Sequence, residues 1–384
     1  MKSKKTQQFI FTGIIIFSCI VYSCDQQTKK PAARIPVIYS TDLYHPPQDP
    51  DDHYDLAILG CLEELEIKAL IFDIATSFRD PDTYGKVALD QMAKITGQSP
   101  PPWKVGLRDL LRSPDDQAFD QSEEYQGGVE LILSTLEQSK EQVVMFLVGS
   151  CRDFAVAFNR NPDLLRKKVK SVYVNAGNGP SGAQNEWNVM LDPNAYFCLM
   201  TSGLPIYWCP CITDFERLCT PEEVSAGKAF CTYFKVANQA ELLASARPMV
   251  KNYIAYALSR SLEDPLEFLD REPQPLPERP RNMWCTGPFL HAAGREIHQT
   301  RDHQWITIPS EKMKEKDTDS RVVEIYRFEP ICFKTVCKDV NGRQITEFYD
   351  ADHTEPTSIK VFRYTNSQYN DIMPLVLKGL LETL

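Results

Sequence analysis

Short apolar runs recur along the chain and alternate with segments of helical periodicity. The runs predicted to be strands are Ile35–Tyr39, Ile67–Ile74, Gln142–Gly149, Val169–Asn175 and Gly203–Cys209. Helical periodicity is found at Pro81–Gly97, at Tyr125–Lys140 and from Asp153 to Asn159. Strands that are apolar throughout are typical of parallel sheets that helices cover on both faces. The pattern therefore predicts an α/β fold with a mostly parallel central sheet flanked by helices.

The C-terminal part of the chain departs from this alternation. The segment Arg321–Tyr349 has the composition of a β-hairpin region, and Asn341-Gly342 within it is a favourable hairpin turn. The sequence therefore predicts an antiparallel addition at the C-terminal end, which is also a candidate subunit contact in a homo-oligomer.

The first 23 residues have the pattern of an export signal. Lys2, Lys4 and Lys5 precede an apolar stretch, Phe9–Tyr22, that is short for a membrane span. Val21-Tyr22-Ser23-Cys24 resembles a bacterial lipobox, which implies cleavage before Cys24 and a lipid anchor on its thiol. Ordinary secretion and an uncleaved anchor are the alternatives. We expect an exported lipoprotein of the periplasm or outer membrane, with a tether over 24–34 and one domain over 35–384.

The charge of the chain argues against a nucleic-acid partner. The formal net charge is −10, and loss of the three leader lysines would change it to −13. A strongly acidic surface repels the phosphate backbone.

The cysteines permit two interpretations. Cys209 and Cys211 lie in an apolar run, followed by Cys219 and Cys231. The spacing fits no common zinc pattern, so buried thiols are favoured over a zinc site.

Acidic residues are concentrated directly after the first predicted strand. They are Asp42, Asp49, Asp51, Asp52 and Asp55. In an open parallel sheet, a strand that ends in acids before a helix builds a site at the carboxyl edge. Carboxylate oxygens are the ligands that Ca²⁺ prefers. The alternative is that Asp51 and Asp52 only stabilise a helix N-terminus, while Asp49-Pro50 forms a turn.

Several blocks, in the same order, resemble the inosine-uridine-preferring nucleoside hydrolase family. Its DTDPGIDDA-type motif is similar to STD at Ser40–Asp42 followed by DPDDHYD at Asp49–Asp55. Further blocks are GSCRD (Gly149–Asp153), VYVNAGN (Val172–Asn178), NEWNVMLDPNAY (Asn185–Tyr196) and LHAAG (Leu290–Gly294). The resemblance extends from about Ile35 to Leu384 and implies hydrolysis of ribonucleoside N-glycosidic bonds with the help of Ca²⁺.

The resemblance also implies roles for individual residues. Asp42 would be a metal ligand and the general base, with Asp52 and the backbone carbonyl of Arg152 as further ligands. Asp51, Glu186 and Asn188 would bind the ribose hydroxyls, and Asn178 is another candidate sugar contact. His291 matches a histidine that protonates the leaving base in some members.

Two departures from the family pattern bear on the metal. Ala292 follows His291, where the family has an aspartate that binds both metal and ribose. The first motif also carries an insertion, HPPQ, at His45–Gln48. Loss of a carboxylate weakens a Ca²⁺ site, and Asp49 or Asp55 is the candidate replacement. Two further functions therefore stay open: hydrolysis of another glycoside, and non-catalytic binding of a sugar or nucleoside.

Some of these residues also have ordinary structural explanations. Glu186 and Asn188 could cap a helix, and Asp192-Pro193 is a typical turn or helix start. Trp187 and Trp284 could stack a base or belong to a core or rim. We expect His45 and His53 to be solvated.

Overall fold

The computed structural model describes residues 33–74, 85–179, 186–211, 219–311, 319–331, 333–340, 343–350 and 358–384. The predicted leader, Cys24, nearly all of the tether and the Asn341-Gly342 turn lie outside the described residues. The residues from Arg34 to Leu384 form one compact unit.

The strands, in chain order, are β1 (Ile35–Thr41), β2 (Leu65–Phe72), β3 (Trp103–Val105), β4 (Val143–Leu147), β5 (Val169–Asn175), β6 (Ile206–Cys209), β7 (Phe234–Val236), β8 (Arg281–Met283), β9 (Arg295–Thr300), β10 (Trp305–Pro309), β11 (Ser320–Val322), β12 (Tyr326–Pro330), β13 (Phe333–Val340), β14 (Arg343–Asp350) and β15 (Ile359–Tyr364).

The α-helices, in chain order, are α1 (Asp51–Cys61), α2 (Lys86–Thr96), α3 (Gly127–Gln138), α4 (Arg152–Arg160), α5 (Pro162–Lys168), α6 (Trp187–Leu191), α7 (Pro193–Thr201), α8 (Pro221–Ser225), α9 (Gln239–Leu242), α10 (Pro248–Ser259), α11 (Pro265–Leu269), α12 (Thr286–Ala292) and α13 (Tyr369–Leu381). None of the helices in the described ranges is long and apolar enough to span a membrane.

The central sheet confirms the predicted fold class. Its order is β12-β15-β6-β5-β4-β1-β2-β3, and every described neighbour pair is parallel except β12 with β15. The smaller sheets β10-β9-β11, β13-β14 and β7-β8 are antiparallel. Most of these strands follow residue 290, as expected for a C-terminal antiparallel addition.

Two hydrophobic cores pack against opposite faces of the central sheet, because successive side chains of a strand point to opposite faces. On β1, Val37 and Tyr39 belong to the core that contains residues of α1, α10 and α13. Ile38, between them, belongs to the core that contains residues of α3, α4 and α7. Burial on both faces explains why the strand sequences are apolar throughout.

Strand order brings polar residues together at one edge of the sheet. β1 pairs with β2 on one side and with β4 on the other. Chain connections therefore diverge at β1, which creates a crevice at the carboxyl ends of the strands. Asp42 follows β1 at this crevice, Asp73 follows β2 and Ser150 follows β4.

Candidate active site

A cavity of about 460 Å³ opens at the carboxyl edge of the central sheet. We call it the acidic cavity because six carboxyl side chains line it: Asp42, Asp49, Asp51, Asp52, Asp55 and Glu186. Its lining residues are Asp42, Tyr44, Gln48, Asp49, Asp51, Asp52, Asp55, Val148, Asn175, Glu186, Trp187, Asn188, Met190, Cys211, Trp284 and Cys285. The crevice predicted from the strand order is therefore a cavity with an acidic wall.

Helix α1 presents three of these acids. Asp51 and Asp52 form its first turn, and Asp55 follows one turn later. Residues three or four apart share one face of a helix, so all three side chains reach the cavity. The hydroxyl of Thr41 donates to Asp52 Oδ1 at 2.7 Å. Asp51 and Asp52 occupy the first turn of the helix, as the simpler interpretation proposed, and they also line the cavity.

Burial and mutual repulsion make these acids difficult to ionise. Burial, followed by the charges of Asp49, Asp55 and Asp42, raises the pKa of Asp51 well above its usual range. Burial, followed by the charges of Asp42 and Asp51, raises the pKa of Asp52 in the same way. Burial raises the pKa of Asp55 to about 7. A cation bound among these acids would favour their ionised forms.

One cation already compensates part of this charge. Arg281, at the start of β8, forms an ion pair with Asp49. The positive charge of its guanidinium acts to lower the pKa of Asp51, against the larger effects of burial and of the other acids, which raise it. Asp49 is half exposed, so this pair lies at the mouth of the acidic cavity and not at its floor.

Glu186 has two functions in the structure. Its carboxylate accepts hydrogen bonds from the backbone amides of Asn188 (3.0 Å) and Val189 (3.2 Å), which caps α6. The Gly177 amide donates to it at 2.8 Å and ties the cap to the loop after β5. Burial raises the pKa of Glu186 despite these three donors. The capping interpretation is confirmed, and the same carboxylate also lines the cavity, while ribose binding by Glu186 stays a prediction.

Asn188 is oriented by the carboxyl edge of the sheet. Its side-chain amide donates to the carbonyl of Asn175 at 2.8 Å and, more weakly, to that of Val148 at 3.4 Å. These bonds direct the amide nitrogen towards the sheet, so the side chain is fixed at the end of β5.

Asp192 begins the next helix, where its side chain accepts from the Ala195 amide and Pro193 occupies the first position of α7. The predicted helix start at Asp192-Pro193 is confirmed.

Asn178 and Arg152 lie outside the set of lining residues. The residue of the Val172–Asn178 block that lines the cavity is Asn175, the last residue of β5. The Arg152 side chain is fully buried and donates to Asp192, Leu191, Leu107 and Arg108. The roles predicted for Asn178 and for the Arg152 carbonyl stay predictions.

His45 and His53 are buried, contrary to the expectation that both are solvated. The Nε2 atom of His45 lies 2.6 Å from the carbonyl oxygen of Ser261, and its ring stacks on Tyr256. The carbonyl of His53 accepts from the Tyr253 hydroxyl. Burial lowers the pKa of His53 to about 3. The rings of helix α10, about 200 residues away in sequence, enclose both histidines, and no local pattern could reveal this.

Comparison with known proteins gives the family of the chain. The family model for inosine-uridine preferring nucleoside hydrolases matches residues 77–270, about half of the chain. The chain belongs to the inosine-uridine preferring nucleoside hydrolase family. This confirms the resemblance seen in the sequence blocks.

Two curated relatives of this nucleoside hydrolase family member are distant. It is 26% identical over 117 residues to the putative pyrimidine-specific ribonucleoside hydrolase RihB of Shigella boydii serotype 4, covering 30% of this chain and 48% of the relative. The same identity and length relate it to RihB of Escherichia coli O1:K1, with 37% of that relative covered. The chain thus spans less than half the length of these curated relatives. A plant nucleoside hydrolase, PpNRh1, shares the fold with a TM-score of 0.52 at 15% identity, covering 91% of this chain and 99% of that one.

His291, the residue of the expected nucleoside hydrolase histidine motif, is not among the residues that line the acidic cavity. His291 is in the last turn of α12, where its Nδ1 lies 2.8 Å from the Tyr173 hydroxyl. Its ring contacts Tyr207 and Phe328. The part of this segment that lines the cavity is Trp284-Cys285, immediately before α12, about 10 Å back along the helix. The catalytic role predicted for His291 stays a prediction.

No ready-made metal centre accompanies these acids. Among the residues that the structure describes, no three His, Cys, Asp or Glu side chains are grouped so that they could hold a metal ion. Cys209, Cys211 and Cys231 are buried free thiols, and Cys219 is a partly buried one.

Proposed function

We propose that this protein hydrolyses the N-glycosidic bond of ribonucleosides in the acidic cavity. The observation that carries the proposal is the meeting of Asp42, Asp51 and Asp52 with Glu186 and Asn188 around one cavity. These residues come from two segments separated by more than 130 residues, and each belongs to a block that resembles the family's catalytic motifs. Family membership supports ribonucleoside hydrolysis generally.

Asp42 is the proposed general base. It follows the central strand β1 directly, so the sheet fixes its backbone at the crevice. Hydrolysis requires that a water attacks the anomeric carbon while the bond to the base breaks. A carboxylate at the sheet edge can accept the proton of that water. The surrounding carboxylates favour the positive charge that develops on the sugar ring.

Asp51, Glu186 and Asn188 are the proposed ribose-binding residues. Carboxylate and amide oxygens accept hydrogen bonds from sugar hydroxyls. Glu186 and Asn188 are suited to this because backbone contacts hold both side chains in place before substrate arrives. Asn178 and His291 receive less support, since neither lines the acidic cavity.

The acidic cavity has donor chemistry that fits Ca²⁺. The available ligands are oxygens, and the buried Oδ1 of Asp55 has no hydrogen-bond partner within the described part of the chain. Asp42 and Asp52 would hold the ion, with the Arg152 carbonyl as the further predicted ligand. When bound, Ca²⁺ would orient and acidify the attacking water. It would also relieve the repulsion that keeps the pKa values of Asp51 and Asp52 high.

Two tryptophans are candidates for contact with the leaving base. Trp187 is half exposed on α6, and Trp284 precedes α12; both line the acidic cavity. Aromatic rings stack on nucleobases. Whether a purine or a pyrimidine leaves is an outcome of the experiment below.

We further propose that the chain is exported and anchored to a membrane by a lipid on Cys24. The leader pattern and the lipobox-like Val21–Cys24 support this. Globomycin, which inhibits lipoprotein signal peptidase, should cause the precursor with residues 1–23 to accumulate. Export without lipid labelling would contradict the anchor.

Product analysis tests the proposed reaction. The protein is incubated with purine and pyrimidine ribonucleosides in oxygen-18 water with added Ca²⁺, and base and sugar are separated by chromatography. We expect free base together with ribose that carries one oxygen from the solvent. Nucleosides that bind but stay intact would favour the binding-protein alternative. Release of sugar from other glycosides, with no release from nucleosides, would favour the hydrolysis of another glycoside.

A further inference from the structure

We propose that Asp73 and Ser150 are positioning residues for Asp42, and that they act by joining the ends of β2 and β4 on either side of β1. This inference rests on the proposed function, because it concerns the residue proposed there as the general base. The resemblance of the sequence blocks assigns no role to Asp73 or to Ser150.

The side chain of Asp73 joins the end of β2 to the end of β4. Its Oδ2 accepts a hydrogen bond from the backbone amide of Ser150 at 2.5 Å, and its Oδ1 accepts one from the Ser150 hydroxyl at 3.0 Å. Both residues are buried. A buried carboxyl group with a donor on each oxygen keeps one orientation, because rotation would break both hydrogen bonds where water cannot replace them.

Backbone hydrogen bonds connect these two strand ends to the residues just before Asp42. The Asp73 amide donates to the Thr41 carbonyl at 2.8 Å, and the Val148 amide donates to the Ser40 carbonyl at 3.0 Å. Thr41 is the last residue of β1, and Asp42 follows it. The neighbours of β1 therefore hold the end of the strand from both sides, and the bonds between the Asp73 side chain and β4 keep those neighbours in register.

Gly149 brings this arrangement into contact with Asp42 itself. A Cβ placed on Gly149 would lie 2.6 Å from Asp73 Oδ2, 3.2 Å from Asp42 Cβ and 3.3 Å from the Asp42 backbone nitrogen. Gly149 therefore lies between the carboxyl group of Asp73 and the point where the Asp42 side chain begins. Because protein interiors are close-packed, a shift of Gly149 and Ser150 would be transmitted to Asp42.

Asp73 and Ser150 lie behind the general base and do not face the substrate. Among the described residues, Asp42 lines the acidic cavity, whereas Asp73 and Ser150 do not. They can therefore affect the reaction only through the residues that they hold. A general base must stay within hydrogen-bond reach of the water that it deprotonates. Misplacement by about 1 Å can reduce the rate about 100-fold, so support from behind is a requirement of the chemistry.

Steady-state kinetics of the full-length protein test the positioning role. Asp73→Asn places an amide group against one of the two Ser150 donors, and Ser150→Ala removes the hydroxyl. With the nucleoside that the wild type hydrolyses fastest, each should lower kcat at least about tenfold. KM should stay within about twofold, because the ribose-binding residues are not moved. Ser150→Thr keeps the hydroxyl and should restore most of the kcat lost in Ser150→Ala.

Asp116→Asn is the matched control for Asp73→Asn. Asp116 is also buried, and its side chain accepts from the backbone amides of Arg112 at 3.0 Å and Ala118 at 2.9 Å. It does not belong to the described lining of the acidic cavity. Asp116→Asn should therefore keep the wild-type kcat even where its melting temperature falls. All variants are compared at a temperature at which each one is folded.

A double-mutant cycle separates an effect through Asp42 from a general loosening of the protein. When Asp42→Asn is already present, Asp73→Asn should lower the residual kcat by less than about twofold, because the carboxylate that it positions is gone. Losses that multiply in the double variant would show that Asp73 acts independently of Asp42.

The outcomes separate this inference from the proposed function. Multiplying losses in the cycle, wild-type kcat in both Asp73→Asn and Ser150→Ala, or an equal fall of kcat in Asp116→Asn would overturn the inference and leave nucleoside hydrolysis intact. A wild type that hydrolyses no nucleoside would overturn the proposed function, and with it the general base that Asp73 and Ser150 would position.

Discussion

Arg152 Nε donates to Asp192 Oδ2 at 2.8 Å, and neither side chain is more than 1% exposed. The same guanidinium donates to three backbone carbonyls, of Leu107, Arg108 and Leu191. Asp192 Oδ2 also accepts from the Leu111 amide. This buried network joins the loop after β3 to the end of α6, the short helix that carries Asn188.

Replacement of Arg152 should therefore destabilise the protein strongly. Arg152→Met leaves the Asp192 carboxylate buried and without its charged partner, which typically costs about 3–5 kcal/mol. Urea denaturation measures the free energy of unfolding. The exposed pair Arg301–Asp319 provides the control, since Arg301→Met should change stability by about 0.5 kcal/mol or less. Equal effects of the two substitutions would refute the structural role of Arg152.

Gly149 should tolerate no side chain. A Cβ added there would lie 2.6 Å from Asp73 Oδ2 and 3.2 Å from Asp42 Cβ. Gly149→Ala must displace one of these aspartates, and displacement of a catalytic group by about 1 Å can reduce the rate about 100-fold. Steady-state kinetics should show a large fall in kcat/KM with nucleosides.

Gly379 on α13 is the matched control for Gly149. A Cβ there would meet only the Trp305 carbonyl oxygen, at 3.5 Å, an ordinary contact. Gly379→Ala should keep wild-type kinetics and gain up to about 1 kcal/mol of stability. Full activity of Gly149→Ala would show that Asp42 need not occupy its present position.

Asp153 should make stability depend on pH. Burial, followed by the charge of Asp73, raises the pKa of Asp153 to about 7. The folded state then binds a proton that the unfolded state has lost, so stability falls as pH rises from about 4 to about 7. Asp153→Asn keeps the shape and removes this titration.

The measurement is urea denaturation of both proteins at about pH 5 and about pH 8. The stability of Asp153→Asn relative to the wild type should increase by about 2–4 kcal/mol between the two pH values. A difference that is constant with pH would contradict a protonated Asp153 in the folded protein.

His45 should support substrate affinity from a distance. Its bond to the Ser261 carbonyl and its stacking on Tyr256 anchor the inserted segment, which brings Tyr44, Gln48 and Asp49 to the acidic cavity. His45→Ala should loosen this wall and raise KM several-fold with a smaller change in kcat. The exposed His303, replaced by Asn, serves as the control. An unchanged KM would indicate that the inserted segment does not contact substrate.

The fold followed from local patterns because each strand is buried on both faces and therefore apolar throughout. Val169–Asn175 was predicted with the bounds that β5 has, and Gly97 caps α2 with the left-handed backbone expected of a C-terminal glycine. The other predicted strand bounds differ from the observed ones by at most three residues, because the end of a strand depends on which neighbour it pairs with. The predicted helix start at Pro81 lies outside the described residues.

The site was only partly accessible from the sequence. Asp42, Asp51, Asp52, Glu186 and Asn188 follow strand ends or begin helices, so their motifs had a local structural context. His291 itself is not a lining residue, and matching letters could not reveal which end of α12 reaches the cavity. The only available signal was that Trp284-Cys285 lies just before the predicted motif, at the entry to a helix.

The most direct test of the account compares wild type and Asp42→Asn on the nucleoside that is hydrolysed fastest. Removal of a general base should lower kcat/KM by about 10²- to 10⁴-fold while the melting temperature changes little. Asp270→Asn, a surface variant in an exposed ion pair, should retain full activity. Wild-type turnover by Asp42→Asn would contradict the assignment of catalysis to the acidic cavity.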